Sequence, residues 1–226
     1  MFIRVVRDLS EGEEVCVTYI EVLDMYEVPI KKLKKRNFEC HCPLCDFERA
    51  QPEERHCRAE LFDEFTQPEI QIGNVGMMPR LKIIMDEFRK THLSTGAITS
   101  TRSRLGKKNI TASGVATKMA PPALQPHQHP IGLVRTLSAF AELNTCLGRI
   151  NQAVQALLEV FEYLPCSAGI NLTRVDLALL IGKMYGKLKR FDEVERWKKV
   201  ARSEFRKPFG EVEELWLEYV DNCNSC

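Results

Sequence analysis

A short run with three cysteines constrains this chain more than any other feature of its sequence. Cys40, Cys42 and Cys45 form a C-x-C-x-x-C pattern. Thiolates packed this closely repel one another unless a cation lies between them, and zinc is the cation that clustered sulfur ligands usually bind. The pattern therefore predicts a zinc loop over residues 38–48. A structural zinc site takes four ligands, and Cys57 and His56 are two downstream candidates for the fourth.

The composition indicates a globular protein of a reducing compartment. The chain has 226 residues, of which 44% are hydrophobic and 28% charged, as in ordinary globular domains. Its nine cysteines suit metal binding in the nucleus or cytoplasm better than a secreted disulfide framework. Lys and Arg (32) nearly balance Asp and Glu (31), so no overall field attracts nucleic acid or anionic lipid. We expect an intracellular protein with no nucleic-acid partner and no membrane partner, since it also lacks a signal peptide and a long apolar run.

The first part of the chain alternates strand and turn patterns before a basic helix. Residues 2–7 and 13–20 have the β-branched and alternating patterns of strands, joined by a turn at Gly12. Residues 28–36 then predict a helix. It is strongly basic: Lys31, Lys32, Lys34, Lys35 and Arg36. Such a face is usually only solvated, but attraction to an acidic partner or a nuclear-import signal are alternatives.

Amphipathic helices and a polar insertion follow the cysteines. Residues 48–65 predict one helix, and residues 79–92 predict a second. The expected buried residues are Leu61, Phe62 and Phe65 in the first helix, and Leu81, Ile84, Met85 and Phe88 in the second. Residues 94–130 are rich in Ser, Thr, Gly and Pro, which cannot bury enough apolar surface to offset their ordering entropy. We interpret them as a flexible insertion, whether genuine or mis-spliced.

The remaining chain, residues 131–226, is predicted to be helical and repetitive. Leu147–Val154 and Leu188–Glu195 share a pattern at an offset of 41 residues (188 minus 147). Each marks the turn of a helix pair: 131–146 with 150–164, and 173–188 with 191–205. Stacked helix pairs are typical of tetratricopeptide-like repeats, although a plain helical bundle is an alternative. A closing helix over 211–222 is expected to point Val212, Leu215 and Tyr219 inward.

Three motifs in fixed order carry a resemblance to a known family. They are Gly12-Glu13-Glu14-Val15, then Tyr19, then Phe38-x-Cys40-x-Cys42-x-x-Cys45. This order resembles the end of a SET domain and its post-SET loop, and more narrowly the SET-and-MYND family of protein-lysine methyltransferases. The resemblance is close over residues 2–47 and architectural beyond them.

The resemblance implies a fold and a division of the chain. The fold is mainly α with a small β portion: truncated SET β-strands and a post-SET zinc loop, then a tetratricopeptide-like helical domain. The implied segments are the C-terminal end of a SET domain (1–37), the post-SET cysteine loop (38–48), a helical connection (49–93), the flexible insertion (94–130) and the tetratricopeptide-like domain (131–226).

The resemblance also implies an activity, namely methyl transfer from S-adenosylmethionine to a histone or non-histone lysine. Tyr19 would be the catalytic tyrosine beside the lysine channel. Phe38 would stack near the cofactor adenine, or else form a hydrophobic plug beneath the zinc loop. Cys40, Cys42 and Cys45 would bind zinc.

Several family motifs are absent from this sequence. The family takes its fourth zinc ligand from an Asn-His-Ser-Cys-type segment located upstream, and its glycine-containing cofactor segment and MYND finger lie further upstream. We therefore expect a C-terminal part of such an enzyme, inactive as this isolated chain. The alternative is a non-catalytic, zinc-stapled helical scaffold that binds a peptide partner in a helical groove. No G-x-S-x-G, P-loop or H-E-x-x-H motif supports another enzyme class.

Overall fold

The computed structural model describes residues 10–12, 24–67, 74–100, 130–164 and 171–224. Within these residues the protein is mainly α-helical and contains no strand, so the mainly α class is confirmed. The nine α-helices of these ranges are α1 (Glu27–Lys34), α2 (Pro43–Arg49), α3 (Pro52–Phe65), α4 (Met78–Ser100), α5 (Ile131–Cys146), α6 (Ile150–Tyr163), α7 (Asn171–Lys187), α8 (Phe191–Phe209) and α9 (Glu213–Asn224). The predicted strands, residues 2–7 and 13–20, lie outside the described residues. None of the described helices has the length and hydropathy required to cross a bilayer.

The single helix predicted over residues 48–65 was wrong, because two helices occupy this region. α2 ends at Arg49 and α3 begins at Pro52. Proline has no amide hydrogen to continue a helix, and its ring disfavours helical backbone angles in the preceding residue. Gln51 accordingly has φ −131° and ψ 65°. The break separates the short helix that carries Cys45 from α3.

The core lies between α4 and the helices that follow it. The four α4 residues predicted to be buried are buried, at 5% exposure or less: Leu81, Ile84, Met85 and Phe88. Leu61, Phe62 and Phe65 of α3 are partly buried against the same core. α4 continues to Ser100, past the predicted start of the insertion at residue 94, and residues 101–129 lie outside the described ranges.

Gly132 marks the closest approach of α5 to α4. A Cβ atom added at Gly132 would lie 2.4 Å from Cε1 of Phe88, whose side chain is fully buried and cannot move aside. We expect Gly132→Ala to lower the free energy of unfolding by about 1–3 kcal/mol through overpacking. Urea denaturation measures this. Gly186→Ala in α7 is the control, since its Cβ would meet nothing closer than 3.9 Å and alanine favours the helix. Equal effects of the two changes on the free energy of unfolding would contradict the close contact between Gly132 and Phe88.

The turns inside the two helix pairs are geometrically equivalent at the predicted offset. Gly148 and Lys189 both adopt positive φ, 69° and 58°. The amide of Arg149 donates to the carbonyl of Asn144 at 2.8 Å, and the amide of Arg190 donates to the carbonyl of Tyr185 at 3.1 Å. This is the hydrogen-bonded left-handed ending that satisfies the last carbonyls of a helix. The turns that join α5 to α6 and α7 to α8 therefore have the same geometry.

The inward face predicted for α9 was partly wrong. Tyr219 packs inward as predicted, with its ring centroid 5.3 Å from that of Phe205, and Trp216 lies at the same distance. Val212 and Leu215 are exposed instead. α9 begins at Glu213, so Val212 precedes the helix and the periodicity counted from it does not apply. The true stripe, Trp216 and Tyr219, follows the i, i+3 spacing of one helix face.

Candidate metal centre

The three clustered cysteines meet in space. The Sγ atoms of Cys40, Cys42 and Cys45 all lie within 4.8 Å of one another. Cys45 is buried, Cys40 is half-buried and Cys42 is exposed. Over the described ranges, no other group of three or more His, Cys, Asp or Glu donors could hold a metal ion in this way. This confirms that the predicted sulfur ligands form a cluster.

The local sequence explains the shape of the loop. Cys42 is the N-cap of α2, with extended backbone angles, and a proline follows it at the helix start. The amide of Cys45 donates to Sγ of Cys42 at 3.5 Å, and the amide of Asp46 donates to the carbonyl of Cys42 at 3.0 Å. Amide hydrogens directed at sulfur stabilise its thiolate form. The turn therefore favours the thiolate form of Cys42, which is the form that binds a metal ion.

Arg49 closes the loop from the other end of α2. Its guanidinium donates to the carbonyl oxygen of Cys40 at 2.6 Å and pairs with the carboxylate of Asp46. That pairing raises the pKa of Arg49, so the group stays charged. The first cysteine of the motif is thus tied to the helix that carries the third.

The thiols differ in how readily they ionise. Burial opposes ionisation of Cys42, but hydrogen bonds from the amide of Cys45, the neighbouring thiols and the amide of Leu44 outweigh it and lower the pKa of Cys42. Burial raises the pKa of Cys45, and its hydrogen bonds and charge repulsion with Cys42 and Cys40 raise it further. Without a cation, Cys42 therefore ionises more readily than Cys45. A divalent metal supplies the charge that lets all three ionise, so the donor set fits zinc.

A cavity of about 140 Å³ adjoins the sulfur cluster. It lies between the cysteine loop, the chain leading into α1, and the helices α3 to α5. Besides the cysteines, its lining includes Asp24, Tyr26, Glu48, Arg58 and His92. Met25, Pro29, Leu44 and Ile131 complete the lining, so the cluster adjoins a mainly apolar space with a few polar groups.

A buried ion pair connects the cysteine loop to the helical core. Glu48 of α2 accepts a hydrogen bond from Nη2 of Arg58 of α3 at 2.7 Å, and the two side chains are only 10% and 3% exposed. Nη1 of Arg58 donates to the carbonyl oxygen of Thr91 in α4 at 3.3 Å. One guanidinium thus joins three helices, one of which carries Cys45.

His92 is the buried imidazole of this region. Its ring stacks on Phe47 with centroids 6.4 Å apart, and the side chain is 4% exposed. Burial, with a smaller effect from the charge of Arg58, lowers the pKa of His92 to about 3. The histidine is therefore neutral at physiological pH.

The neutral state of His92 predicts a pH dependence of stability. The unfolded histidine, with an ordinary pKa of 6.5, takes up a proton that the folded protein excludes, so stability is lost as pH falls below 6.5. The difference in unfolding free energy between wild type and His92→Gln should shrink by about 2 kcal/mol between pH 7 and pH 5. Urea denaturation at several pH values measures it. The exposed His56→Gln is the control, and a pH-independent difference for His92→Gln would contradict the expectation.

The other predicted site residues have different outcomes. Tyr19, the predicted catalytic residue, lies outside the described residues. Phe38 is 56% exposed, and its amide donates to the carbonyl of Leu33 at 3.1 Å. A hydrophobic plug beneath the zinc loop would be buried, so this exposure does not fit the plug. The alternative role, stacking near the cofactor adenine, stays a prediction.

Neither downstream candidate for a fourth ligand joins the cluster. The side chain of His56 is 76% exposed and lies 3.4 Å from the carboxylate of Glu60. Cys57 is half-buried in α3 and does not belong to the cysteine group. In the part of the chain that the structure describes, the centre therefore has three protein donors.

Sequence reasoning missed Glu48, Arg58 and His92. One signal was present: Arg58 lies three and four residues before Leu61 and Phe62, so it occupies the apolar stripe of its helix. A charged residue on such a stripe indicates a buried partner. His92 gives a similar signal, because it lies four residues after Phe88 and so continues the apolar stripe of its helix.

The features from which a function can be inferred are thus the cysteine turn, the cavity beside it and the buried ion pair. In comparisons with known proteins, the chain matches no protein-family model, no curated protein and no solved structure.

Proposed function

We propose that this chain is the C-terminal part of a SET-type protein-lysine N-methyltransferase that uses S-adenosylmethionine. The observation that carries the proposal is the cysteine turn. Three sulfurs within 4.8 Å of one another follow Phe38 and precede a helical domain, which is the order of a post-SET loop. Zinc held by Cys40, Cys42 and Cys45 would have a structural role, fixing the loop that carries Phe38.

The cavity beside the sulfurs supports the same proposal. A post-SET loop takes its fourth ligand from a cysteine of a separate Asn-His-Ser-Cys-type segment, and such a segment has to reach the cluster. The cavity of about 140 Å³ lined by all three cysteines offers it a space beside the sulfurs. The side chain of Phe38 is exposed, so its ring is accessible to a cofactor that is held by residues other than the described ones.

The chemistry of lysine methylation fits the few groups that the resemblance supplies. The neutral amine nitrogen attacks the sulfonium methyl in line, the carbon–sulfur bond breaks, and its electron pair stays on sulfur. Catalysis then depends on orientation in a narrow, dry channel more than on acid–base groups. Tyr19 would orient the amine through its hydroxyl, as a residue with an apolar ring and a polar tip.

The helical part supports a tetratricopeptide-like domain in this proposal. The turns at Gly148 and Lys189 have the same hydrogen-bond pattern and the same positive φ, as expected of stacked repeat units. Such units form extended surfaces that bind protein segments. In a methyltransferase this surface would help to select the substrate protein.

Cobalt substitution tests the proposal, because the sulfur-to-cobalt charge-transfer absorbance rises with the number of thiolate ligands. We expect three thiolates in the chain alone. An added Asn-His-Ser-Cys peptide should raise the absorbance by about a third, as three sulfurs become four, and should tighten zinc binding. The matched peptide with serine in place of cysteine is the control. An unchanged spectrum with both peptides would argue against a post-SET loop.

Calorimetry with S-adenosylmethionine gives a separate test of the cofactor. We expect no tight binding to this chain alone, because the resemblance assigns most cofactor contacts to motifs absent from this sequence. Micromolar binding would contradict that division of the site. It would leave the zinc result unaffected, so the two outcomes are distinguishable.

A second candidate, a zinc-stapled scaffold that binds a peptide, is favoured by one groove. An open groove of about 570 Å³ lies between α4, α5 and α6, with side-chain amides from Asn151, Gln152 and Gln155 along one edge. Amides of this kind can hydrogen-bond an extended peptide backbone. Two results together would favour this candidate over the enzyme. The cobalt spectrum would not respond to the cysteine peptide, and the chain alone would supply every ligand of its bound zinc.

A further inference from the structure

The helix α1 and the turn after it carry a dense patch of exposed cations. We name it the α1 basic surface, and its members are Lys31, Lys32, Lys34, Lys35 and Arg36, all exposed. Leu33, in the middle of this run, is 8% exposed and holds the helix against the protein. The cations therefore project from a folded, anchored helix.

Among the described residues, most of this charge has no internal partner. Lys32 pairs with Asp24 at 3.1 Å. No described carboxylate lies within ion-pair distance of Lys31, Lys34, Lys35 or Arg36, although the surrounding chain forms many such pairs. The dipole of α1 favours basic residues near its C-terminal end, but it does not require this number of them.

The fold argues against the import-signal interpretation of these residues. A receptor that reads an extended basic peptide would need residues 31–36 unwound. Here residues 31–34 belong to a helix and Leu33 is buried beneath it. The patch is better suited to act as a rigid surface.

We propose that the α1 basic surface binds the phosphate backbone of duplex DNA. Lys31, Lys34 and Lys35 have the i, i+3 and i+4 spacing of one helix face, and a row of fixed cations complements a regular polyanion. The cations lie on a convex helix, whereas single-strand binders combine a basic groove with several stacking aromatics. The expectation of no nucleic-acid partner was based on the net charge of the whole chain. A local patch of cations can attract DNA even where that net charge is close to zero.

The proposal does not depend on the methyltransferase function. If both hold, the DNA contact would bring the enzyme to lysines of DNA-bound proteins. Failure of DNA binding would leave the cobalt and cofactor results unchanged, and the reverse is also true.

Fluorescence anisotropy with a labelled DNA duplex and the full chain tests the proposal. If the four unpaired cations each contact one phosphate, the slope of log K against log salt is about −3.6, and affinity falls about 100-fold from 50 to 200 mM salt. The triple variant Lys31→Gln/Lys34→Gln/Lys35→Gln should bind at least about 10-fold more weakly at 50 mM salt, with a slope near −1. Glutamine is a good helix former, so the helix should be kept, and circular dichroism verifies it.

Matched controls separate this surface from general charge. Lys183→Gln/Lys187→Gln/Lys189→Gln removes the same charge from three exposed lysines of α7 and the turn after it and should change binding less than 2-fold. Equal weakening by both triple variants would overturn the proposal. So would tighter binding to single-stranded DNA that Phe38→Ala abolishes, or binding to phosphatidylserine vesicles without binding to the duplex.

Discussion

Replacing Cys45 with serine is expected to weaken zinc binding by at least about 100-fold. Loss of a supporting contact around a metal ligand typically costs 10–100-fold, and here a ligand itself is lost. Cys45 is the buried sulfur of the cluster. A serine hydroxyl at this position would not ionise to become a zinc ligand, and water would not easily reach the metal to replace the lost sulfur. Competition with a chromophoric zinc chelator at pH 7.5 measures the affinity of each variant.

Two other cysteines provide matched controls for this prediction. Cys57→Ser and Cys146→Ser alter free cysteines outside the cluster and should leave zinc affinity within about 2-fold of wild type, since neither touches the donor set. If Cys45→Ser keeps wild-type affinity while one of these variants loses it, the metal lies elsewhere in the chain. Circular dichroism of the metal-free proteins distinguishes loss of a ligand from loss of the fold.

Replacing Arg58 with methionine is expected to lower the free energy of unfolding by about 3–5 kcal/mol. Removing one partner of a buried ion pair leaves the other charge uncompensated, and the carboxylate of Glu48 would remain in α2 with 10% exposure. The carbonyl of Thr91 would also lose its hydrogen bond from Arg58. Urea denaturation of the metal-free protein, followed by circular dichroism, measures the loss.

A double variant and an exposed pair sharpen the test. Glu48→Gln/Arg58→Met removes both charges and should recover part of the loss, because a neutral pair costs less to bury. Arg80→Ala breaks the exposed pair with Glu64 and should cost less than about 1 kcal/mol. Similar losses for Arg58→Met and Arg80→Ala would mean that the buried pair does not link α2 to the core.

Local patterns predicted much of the helical fold. The apolar spacing of residues 131–146 predicted α5 with its observed ends, and the offset between Gly148 and Lys189 predicted two equivalent turns. Patterns failed at two helix starts. Pro52 divided one predicted helix into two, and the inward stripe of α9 was counted from Val212, which precedes the helix, so that it missed Trp216.

Only those parts of the candidate site whose residues are close in sequence could be predicted. Three cysteines so close in sequence had to meet, and they do. The contacts of Glu48 with Arg58 and of Arg58 with Thr91 join separate helices, so they depend on how α2, α3 and α4 pack. Sequence spacing carries no information on such packing except where, as at Arg58, a charge interrupts an apolar stripe.

The guanidinium groups around the cysteine turn have an electrostatic consequence. Three thiolates and one divalent zinc ion would sum to a single negative charge. Arg49, Arg58 and Arg55 are each paired with a carboxylate, that of Asp46, Glu48 and Glu27 respectively, so these cations do not offset that charge. Negatively charged reagents would thus be repelled from the sulfurs of a filled centre, and positively charged ones attracted.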